Sequence, residues 1–339
     1  MRFEEFQTFR QRQLGACPAL LDAAETNVYR ALAALRPEPP ADVRTVYRCD
    51  LARAWLRRFE LPQEWSRRAM VCRGVRHGLE VVFHWLHSVR GRLWLPGDVY
   101  PVYFELARAA GLTPGSYPTL PAPALPPTPP TDDRPEYLLL VNPSKPLGRY
   151  LTDAECDAVI SWLRESPHRR LLIDGVYDLG APFAAGTRRL LDTGRAVLLH
   201  SVTKGWLWPR TFGVVLLGAE QTELAEAFRA DPPTPDQLAL AERLLTQDGD
   251  VPGQVVTELA TRAERLFERL PQDVLAAIAA ASRTCPGNYF FPVDLPARTL
   301  QREYGVLALP ATVFGQSHWP GSVLTSLAAP FGPTPPAAR

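Results

Sequence analysis

Residues 196–204 read AVLLHSVTK, an apolar run that ends in two hydroxyl side chains and a lysine. A continuous apolar run of this length is typical of a strand that is covered on both faces of a parallel sheet. Open α/β sheets bind their ligands at the carboxyl ends of such strands. The stretch therefore predicts an α/β protein with a ligand site that contains Lys204.

Two earlier apolar runs end in polar residues of a similar kind. Residues 137–141 lead into NPSKPLG (142–148), and residues 171–173 lead into DGVY (174–177). Because parallel strands bring their carboxyl ends to one edge of the sheet, these segments converge with Lys204 on one pocket. That pocket would hold a carboxylate, a phenol, hydroxyl groups and an amine. A buried amine forms a Schiff base with an aldehyde, and a carboxylate that faces a ring nitrogen keeps the nitrogen protonated.

The pattern outside these segments indicates alternating helices and strands, and hence a largely parallel sheet. We predict helices over residues 1–36, 48–60, 79–89, 104–110, 152–165, 222–230, 236–246 and 253–281. The helix at 152–165 begins with a capping box of Thr152 and Glu155. Short strands at 289–291 and 322–324 among the later helices predict a second, smaller α+β domain. We place the large domain at residues 45–218 and the small domain at residues 1–44 together with 219–339.

Composition argues against several classes of function. The 339 residues carry a net charge of +1, which gives no field that would attract nucleic acid or an anionic membrane. No apolar run approaches the roughly 20 residues of a membrane-spanning helix. The polar start of the chain does not read as a signal peptide, so we expect a cytoplasmic protein. Five scattered cysteines and six histidines show no metal-ligand spacing, and we expect no metal.

The order of the motifs resembles the fold-type I enzymes that depend on pyridoxal 5′-phosphate (PLP), in particular the class I/II and histidinol-phosphate aminotransferases. RGVRHG (73–78), ahead of a helix, is similar to the phosphate-cradling loop of that family. LPGDVYPVY (95–103) is similar to the segment that places an aromatic ring over the cofactor, here Tyr100. Residues 305–315 resemble a stretch of the family's small domain. The resemblance covers about residues 45–329 and implies an aspartate-aminotransferase-like fold.

The resemblance also implies a role for each matched residue. Lys204 would form the Schiff base and carry the substrate proton, Asp174 would pair with the pyridine nitrogen, and Tyr177 would face the ring oxygen. These three are the implied catalytic residues. The residues implied to bind the cofactor are Gly74, Val75, Arg76, Tyr100, Asn142, Lys145, Asp174, Tyr177, Ser201, Thr203, Lys204 and Arg210.

The sequence departs from the family pattern at three positions. Lys145 stands where the family usually has asparagine beside the ring oxygen. Phe212 stands where the family has a phosphate-binding arginine, and we predict that either Arg210, two residues earlier, or Arg76 takes its place. Leu324 stands where the family has the arginine that binds the substrate carboxylate. Because a bidentate guanidinium is hard to replace, we expect an unusual substrate.

Three functions remain open at this stage. The first is transamination of a small amino substrate, in a homodimer as the resemblance implies. The second is another PLP reaction on the same scaffold, catalysed by a lyase, a decarboxylase or a cyclase of a specialised biosynthetic pathway. The third is a non-catalytic relative that retains the fold, although the joint presence of Asp174, Tyr177, Ser201 and Lys204 argues against it.

Overall fold

The computed structural model describes residues 2–38, 45–127, 133–209, 212–219, 221–246, 249–284, 288–315 and 317–328. The strands are β1 (Leu21–Asp22), β2 (Ala69–Cys72), β3 (Arg92–Pro96), β4 (Gly115–Tyr117), β5 (Glu136–Val141), β6 (Arg169–Asp174), β7 (Ala196–Ser201), β8 (Gly213–Leu216), β9 (Phe290–Val293), β10 (Val306–Leu307), β11 (Leu309–Pro310) and β12 (Ser322–Thr325).

Helices separate most of these strands. They are α1 (Phe3–Ala16), α2 (Val28–Ala31), α3 (Arg48–Arg58), α4 (Val75–Ser88), α5 (Val102–Ala109), α6 (Asp153–Arg164), α7 (Ala185–Leu191), α8 (Val202–Gly205), α9 (Thr222–Ala230), α10 (Pro235–Thr246), α11 (Val251–Arg269), α12 (Gln272–Ala276), α13 (Ala280–Thr284) and α14 (Ala297–Tyr304). Short 3₁₀ helices lie at Ala33–Leu35, Gln63–Arg67 and Ala311–Val313.

A seven-stranded sheet forms the centre of the molecule, in the order β2-β8-β7-β6-β5-β3-β4. The pairs from β7 to β4 are parallel, whereas β8 runs antiparallel to both β7 and β2. Every residue of β5 and β7 is buried, as expected for strands that have helices on both faces. The α/β prediction is confirmed.

Side chains alternate between the two faces of the sheet. Along β6, Leu171 and Ile173 enter an apolar core with α3, α6, α7 and α10, whereas Leu172 enters the opposite core with α4, α5 and α9. The predicted capping box starts α6, since the Thr152 hydroxyl accepts from the Glu155 amide at 3.2 Å and the Glu155 carboxylate accepts from the Thr152 amide at 2.8 Å. These layers hold the carboxyl ends of β5, β6 and β7 rigidly side by side.

A smaller unit packs beside the carboxyl ends of the sheet. It contains the antiparallel sheet β11-β12-β9 and the parallel pair β1-β10. Helix α1 joins it through Phe6, which lies in one core with Phe290, Phe314 and Val323. The N-terminal segment thus packs with the last third of the chain.

Two predicted helices are shorter than expected. The prediction for residues 1–36 is wrong for residues 17–27, because Pro18 cannot continue the helix and residues 21–22 pair with β10 instead. Short helices return at Val28–Ala31 and Ala33–Leu35. The helix predicted for 253–281 ends at Arg269, and Pro271 begins a separate short helix. The spacing of apolar residues alone does not predict where these helices end.

The division into two domains remains a proposal, and packing favours one change to it. Leu224 and Phe228 of α9 lie in the core on one face of the large sheet, and Leu238 and Leu244 of α10 lie in the core on the other face. Both helices belong by packing to the sheet. We therefore propose that the large domain extends beyond residue 218, to about the end of α10.

Candidate active site

The polar segments after β5, β6 and β7 lie together, as the sequence predicts. Val141 pairs with Asp174 across β5 and β6, and Asp174 pairs with Leu199 across β6 and β7. Lys204 follows on α8, whose first residues are capped by the Ser201 hydroxyl, which accepts from the Thr203 amide at 3.0 Å. The carboxyl edge of the sheet therefore carries Asp174 and Lys204 of the predicted site.

Lys204 lies among tyrosine rings. Its Nζ is 4.4 Å from the centre of the Tyr29 ring and 5.8 Å from that of Tyr177. Burial alone would lower the pKa of Lys204, but the oxygens of Tyr177 and Tyr29 outweigh it and raise this pKa. Tyr29 was not predicted from the sequence, because it comes from the N-terminal segment, remote from the motifs.

Asp174 is a buried carboxylate with 3% of its surface exposed. The Tyr103 hydroxyl donates to Oδ2 at 2.7 Å, and the Val176 amide donates to Oδ1 at 3.0 Å. Burial raises the pKa of Asp174, even though these two donors favour the charged form. A positively charged ring nitrogen is the kind of partner that such a carboxylate stabilises. Tyr103 was not predicted either, although it stands in the quoted segment 95–103, one helical turn after Tyr100.

Lys145 belongs to the same cluster. Its Nζ is 5.3 Å from the centre of the Tyr100 ring and 4.8 Å from that of Phe290. Burial lowers the pKa of Lys145, and the positive charge of Lys204 adds to that effect. The loop that carries Lys145 is pressed against β9, since a Cβ on Gly148 would lie 1.7 Å from the Phe290 carbonyl oxygen. Gly148 also has a φ of +79°, which glycine adopts without strain.

Asn142 and Tyr100 have described partners in the protein. The Asn142 amide donates to the Thr187 hydroxyl and accepts from the Leu151 amide, both at 3.0 Å, so it fixes the loop that carries Lys145. Tyr100 makes an edge-on contact with Phe3, with ring centres 5.4 Å apart. A direct contact of either residue with the cofactor stays a prediction.

The glycine loop and the Ser201 segment form one cradle. Gly74, at φ +119°, precedes α4, and the first amides of a helix have no partner within the helix. Gly213 pairs with Ser201 across β7 and β8, and a Cβ on Gly213 would lie only 3.0 Å from the Gly74 Cα. The Ser201 hydroxyl in turn donates to the Thr203 hydroxyl at 2.8 Å. Amides and hydroxyls gathered at a helix N-terminus suit a phosphate group.

The predicted arginine contacts to phosphate involve Arg210 and Arg76. Arg210 lies outside the described residues. Phe212 is fully buried in the core of the sheet, so it packs where the family pattern has a cation. Arg76 is exposed at the start of α4.

Strand β12 contains the position at which the family has its carboxylate-binding arginine. Leu324 of β12 is buried with Phe291 and Leu266, whereas its neighbour Val323 faces the cluster that contains Tyr177. Strand β12 reads SVLT and carries no cation.

Two other kinds of site are absent from the described ranges. No helix there is long and apolar enough to cross a membrane. No group of His, Cys, Asp and Glu side chains among those residues has the arrangement of a metal site. A separate cavity of about 760 Å³, lined by Trp85, Arg170 and Arg195, lies at the amino ends of the strands, away from the residues described above.

Comparison with known proteins decides the family. Residues 13–329 match the family model for aminotransferase class I and II. The chain belongs to the class I and II aminotransferases. It is therefore a PLP-dependent enzyme of the aminotransferase type, as the motif order indicated.

Solved aminotransferases share its fold at low identity. YbdL from Escherichia coli, described with a methionine aminotransferase function, is 17% identical, with a TM-score of 0.66 over 96% of this chain and 93% of YbdL. An aminotransferase from Mycobacterium tuberculosis is 18% identical, with a TM-score of 0.65 over 97% and 95%. Tyrosine aminotransferase from Leishmania infantum is 16% identical, with a TM-score of 0.61 over 91% and 90%. No curated protein matches the sequence significantly.

The residues at the sheet edge fit the cofactor of this family. The space over Gly74 is open, since a Cβ there would meet nothing within 4 Å, and the loop offers amides for a phosphate. Asp174 offers a buried carboxylate for a ring nitrogen, and Lys204 offers an amine for an aldehyde. The set of donors therefore matches PLP in both charge and chemistry.

Proposed function

We propose that this enzyme transfers the amino group of a small amino substrate, with Lys204 as the residue that binds PLP covalently. The observation that carries the proposal is the meeting of Lys204, Tyr177 and Asp174 at the carboxyl edge of the sheet. When bound, PLP supplies an electrophilic carbonyl and an electron-withdrawing ring. The side chains supply orientation and proton transfer.

Each side chain has one task in this proposal. Asp174, held by Tyr103, would pair with the ring nitrogen and keep its proton in place. Tyr177 would lie near the ring oxygen, and Lys204 would move the proton of the substrate. Ser201 and Thr203, together with the amides after Gly74, would hold the phosphate. Arg76, Val75 and Arg210 remain predicted phosphate neighbours.

The substrate is the less defined part of the proposal. Because β12 carries no cation, we propose that a substrate carboxylate, if there is one, is not held by the arginine that the family uses. Around Lys204, the small unit contributes rings instead, those of Tyr29, Tyr289 and Phe290. We also propose a homodimer and a cytoplasmic location, as the family resemblance and the sequence suggest.

The missing arginine also favours a second candidate. A PLP-dependent lyase, decarboxylase or cyclase would use the same Lys204 and Asp174 without returning an amino group to a keto acid. The presence of an additional amine at Lys145 adds weight to this reading, since the family pattern has no charge there.

A half-reaction separates the two candidates. The PLP-loaded protein is incubated with a panel of amino acids and of the matching amines, and the cofactor is then released and identified by mass. Transamination predicts conversion to pyridoxamine phosphate with at least one donor. A cofactor that stays in the aldehyde form while the substrate is consumed would support the lyase, decarboxylase or cyclase instead.

The cradle gives a prediction about cofactor affinity. In Gly213→Ala, the new Cβ would lie 2.6 Å from the His200 carbonyl oxygen and 3.0 Å from the Gly74 Cα, so the glycine loop has to shift. Loss of one charge-assisted hydrogen bond to phosphate weakens PLP binding by about tenfold or more. Fluorescence titration with PLP measures the change. Gly15→Ala is the control, because a Cβ at this position would meet nothing within 4 Å. Equal affinities for PLP in the two variants would contradict a role of the glycine loop in phosphate binding.

A further inference from the structure

The side chain of His77 turns back onto the start of the glycine loop. His77 is the third residue of α4, which follows Gly74, and only 6% of its surface is exposed. Its ring nitrogen Nδ1 lies 3.1 Å from the main-chain nitrogen of Arg73, which donates to it. This hydrogen bond closes residues 73–77 on themselves. The amides of Val75 and Arg76 lie within the closed segment.

A second contact holds the imidazole ring from its other side. Nε2 lies 3.0 Å from Oδ2 of Asp231, the residue that ends α9. The guanidinium of Arg73 donates to the same oxygen at 2.8 Å. Because Asp231 is half exposed, the ion pair by itself adds little stability. The carboxylate joins both ends of the closed segment to a helix outside the loop.

These contacts fix the protonation state of the ring. A main-chain N–H group is always a donor, so Nδ1 of His77 accepts from Arg73 and carries no proton. The proton of the neutral ring is then on Nε2, which donates it to Asp231. A protonated imidazole has an N–H group on both nitrogens and cannot accept a hydrogen bond. Protonation of His77 therefore breaks the contact that closes the loop.

Other ionisable groups near His77 come from the loop, α4, α9 and β2. They are Arg73, Glu80, His84, Asp231 and Cys72. Nδ1 of His84 lies 2.8 Å from the Glu80 carbonyl oxygen, so this ring is held by its own helix. Burial raises the pKa of Cys72 to about 12, and its neutral thiol donates to the Gly74 carbonyl oxygen at 3.4 Å.

We propose that His77 is a positioning residue that holds the glycine loop in shape for the phosphate of PLP, and that it does so only with a neutral ring. The inference rests on the proposed function, because it assumes that the amides after Gly74 hold the phosphate. The ring acts through the main chain of Arg73 and needs no contact with the cofactor. The affinity for PLP then falls when His77 becomes protonated.

The electrostatics give the direction of this pH dependence. Burial lowers the pKa of His77, and the positive charge of Arg73 adds to that effect, whereas Asp231 and Glu80 oppose it. The ring therefore stays neutral to a pH below the ordinary histidine pKa of about 6.5. Above that range the loop is closed, and below it the contact with Arg73 is lost.

Fluorescence titration with PLP tests the proposal in wild type, His77→Leu and His77→Asn, from about pH 8 down to about pH 5, on either side of the ordinary histidine pKa. Leucine offers no acceptor, so we expect binding about tenfold weaker at the upper pH, the scale of one lost hydrogen bond. Asparagine keeps an acceptor near the position of Nδ1 but does not titrate. We expect it to bind as wild type does at the upper pH and to lose less affinity in acid.

Comparison of wild type with His77→Asn isolates the effect of the ring. The phosphate and the other ionisable groups of the site titrate in both proteins, so their contribution cancels. Equal affinities of wild type and His77→Leu, or the same acid profile in wild type and His77→Asn, overturn the proposal. Tighter acid binding by wild type than by His77→Asn also overturns it, since the charge of the ring would then attract the phosphate directly.

Two further variants keep the test decisive. Asp231→Asn moves the acid loss of affinity to lower pH, because the carboxylate favours the protonated ring of His77. This variant replaces His77→Leu if the leucine variant does not fold by circular dichroism, and an unchanged profile then overturns the proposal. His84→Gln, on the same helix, should leave both the affinity and its pH dependence unchanged.

Nuclear magnetic resonance of the imidazole nitrogens gives a test without cofactor. The spectrum of His77→Asn assigns the signal of His77 among the six histidines. In the cofactor-free protein at neutral pH we expect a neutral ring with its proton on Nε2, and a proton on Nδ1 overturns the proposal. Failure of PLP to attach to Lys204 would end the proposed function but leave this result unchanged. Normal attachment with no effect of the His77 variants would end only the present inference.

Discussion

Lys204→Ala is expected to abolish covalent attachment of PLP and to reduce turnover by on the order of 10⁴-fold or more. The reason is that one amine both binds the cofactor and carries the proton, and general acid–base catalysis alone contributes about 10²- to 10⁴-fold. No other described amine lies against both Tyr29 and Tyr177. Absorption spectra and single-turnover rates with a donor measure the two losses.

Lys204→Arg is the matched control for that experiment. It keeps the positive charge beside Tyr177 but cannot form the imine, so we expect the spectrum and the turnover to fall as they do in the alanine variant. Retention of a visible cofactor band in either variant would mean that another amine binds the cofactor, and the chain contains only one other lysine side chain, Lys145.

Asp174→Asn is expected to lower turnover by roughly 10²- to 10³-fold, the scale seen when one electrostatic contact to developing charge is removed. Asparagine keeps the size of the side chain and an oxygen that accepts from the Val176 amide, and its NH2 group can donate to the Tyr103 hydroxyl, but it no longer stabilises a protonated ring nitrogen. The variant should therefore still bind PLP through Lys204. The rate of the donor half-reaction and the cofactor content are measured on the same samples. Together they show whether the substitution lowers turnover while PLP binding is retained.

Two further variants serve as controls for Asp174→Asn. Tyr103→Phe removes one of the two donors to the carboxylate and should show a smaller loss, with the charge intact. Asp157→Asn, on the exposed face of α6, removes a negative charge without touching the site and should leave the rate unchanged. Equal rates for Asp174→Asn and wild type would show that the Asp174 carboxylate does not contribute to turnover.

The sequence predicts the sheet and its ligand edge well, because both depend on local features. The buried strands β5, β6 and β7 are continuous apolar runs, and each ends on the polar residues that the motifs contain. The side chains that close the site come instead from remote segments. Tyr29 precedes Lys204 by more than half the chain, and Tyr289 lies in the smaller unit, so only the folded structure shows that both reach the cluster.

Errors in the prediction arise where proline or long-range packing overrides a local pattern. Pro18 and Pro271 interrupt segments in which the spacing of apolar residues by itself predicts one continuous helix. Helices α9 and α10 follow the last strand of the large sheet in sequence, yet they pack back onto it.

The most direct test of the central claim is reduction of the PLP-loaded protein with borohydride, followed by mass mapping of the labelled peptide. With only two lysines in the chain, the side-chain assignment is a choice between two peptides. We expect a pyridoxyl mass on the peptide that contains Lys204. A label on Lys145, or no label on a protein that has been saturated with PLP, would contradict it.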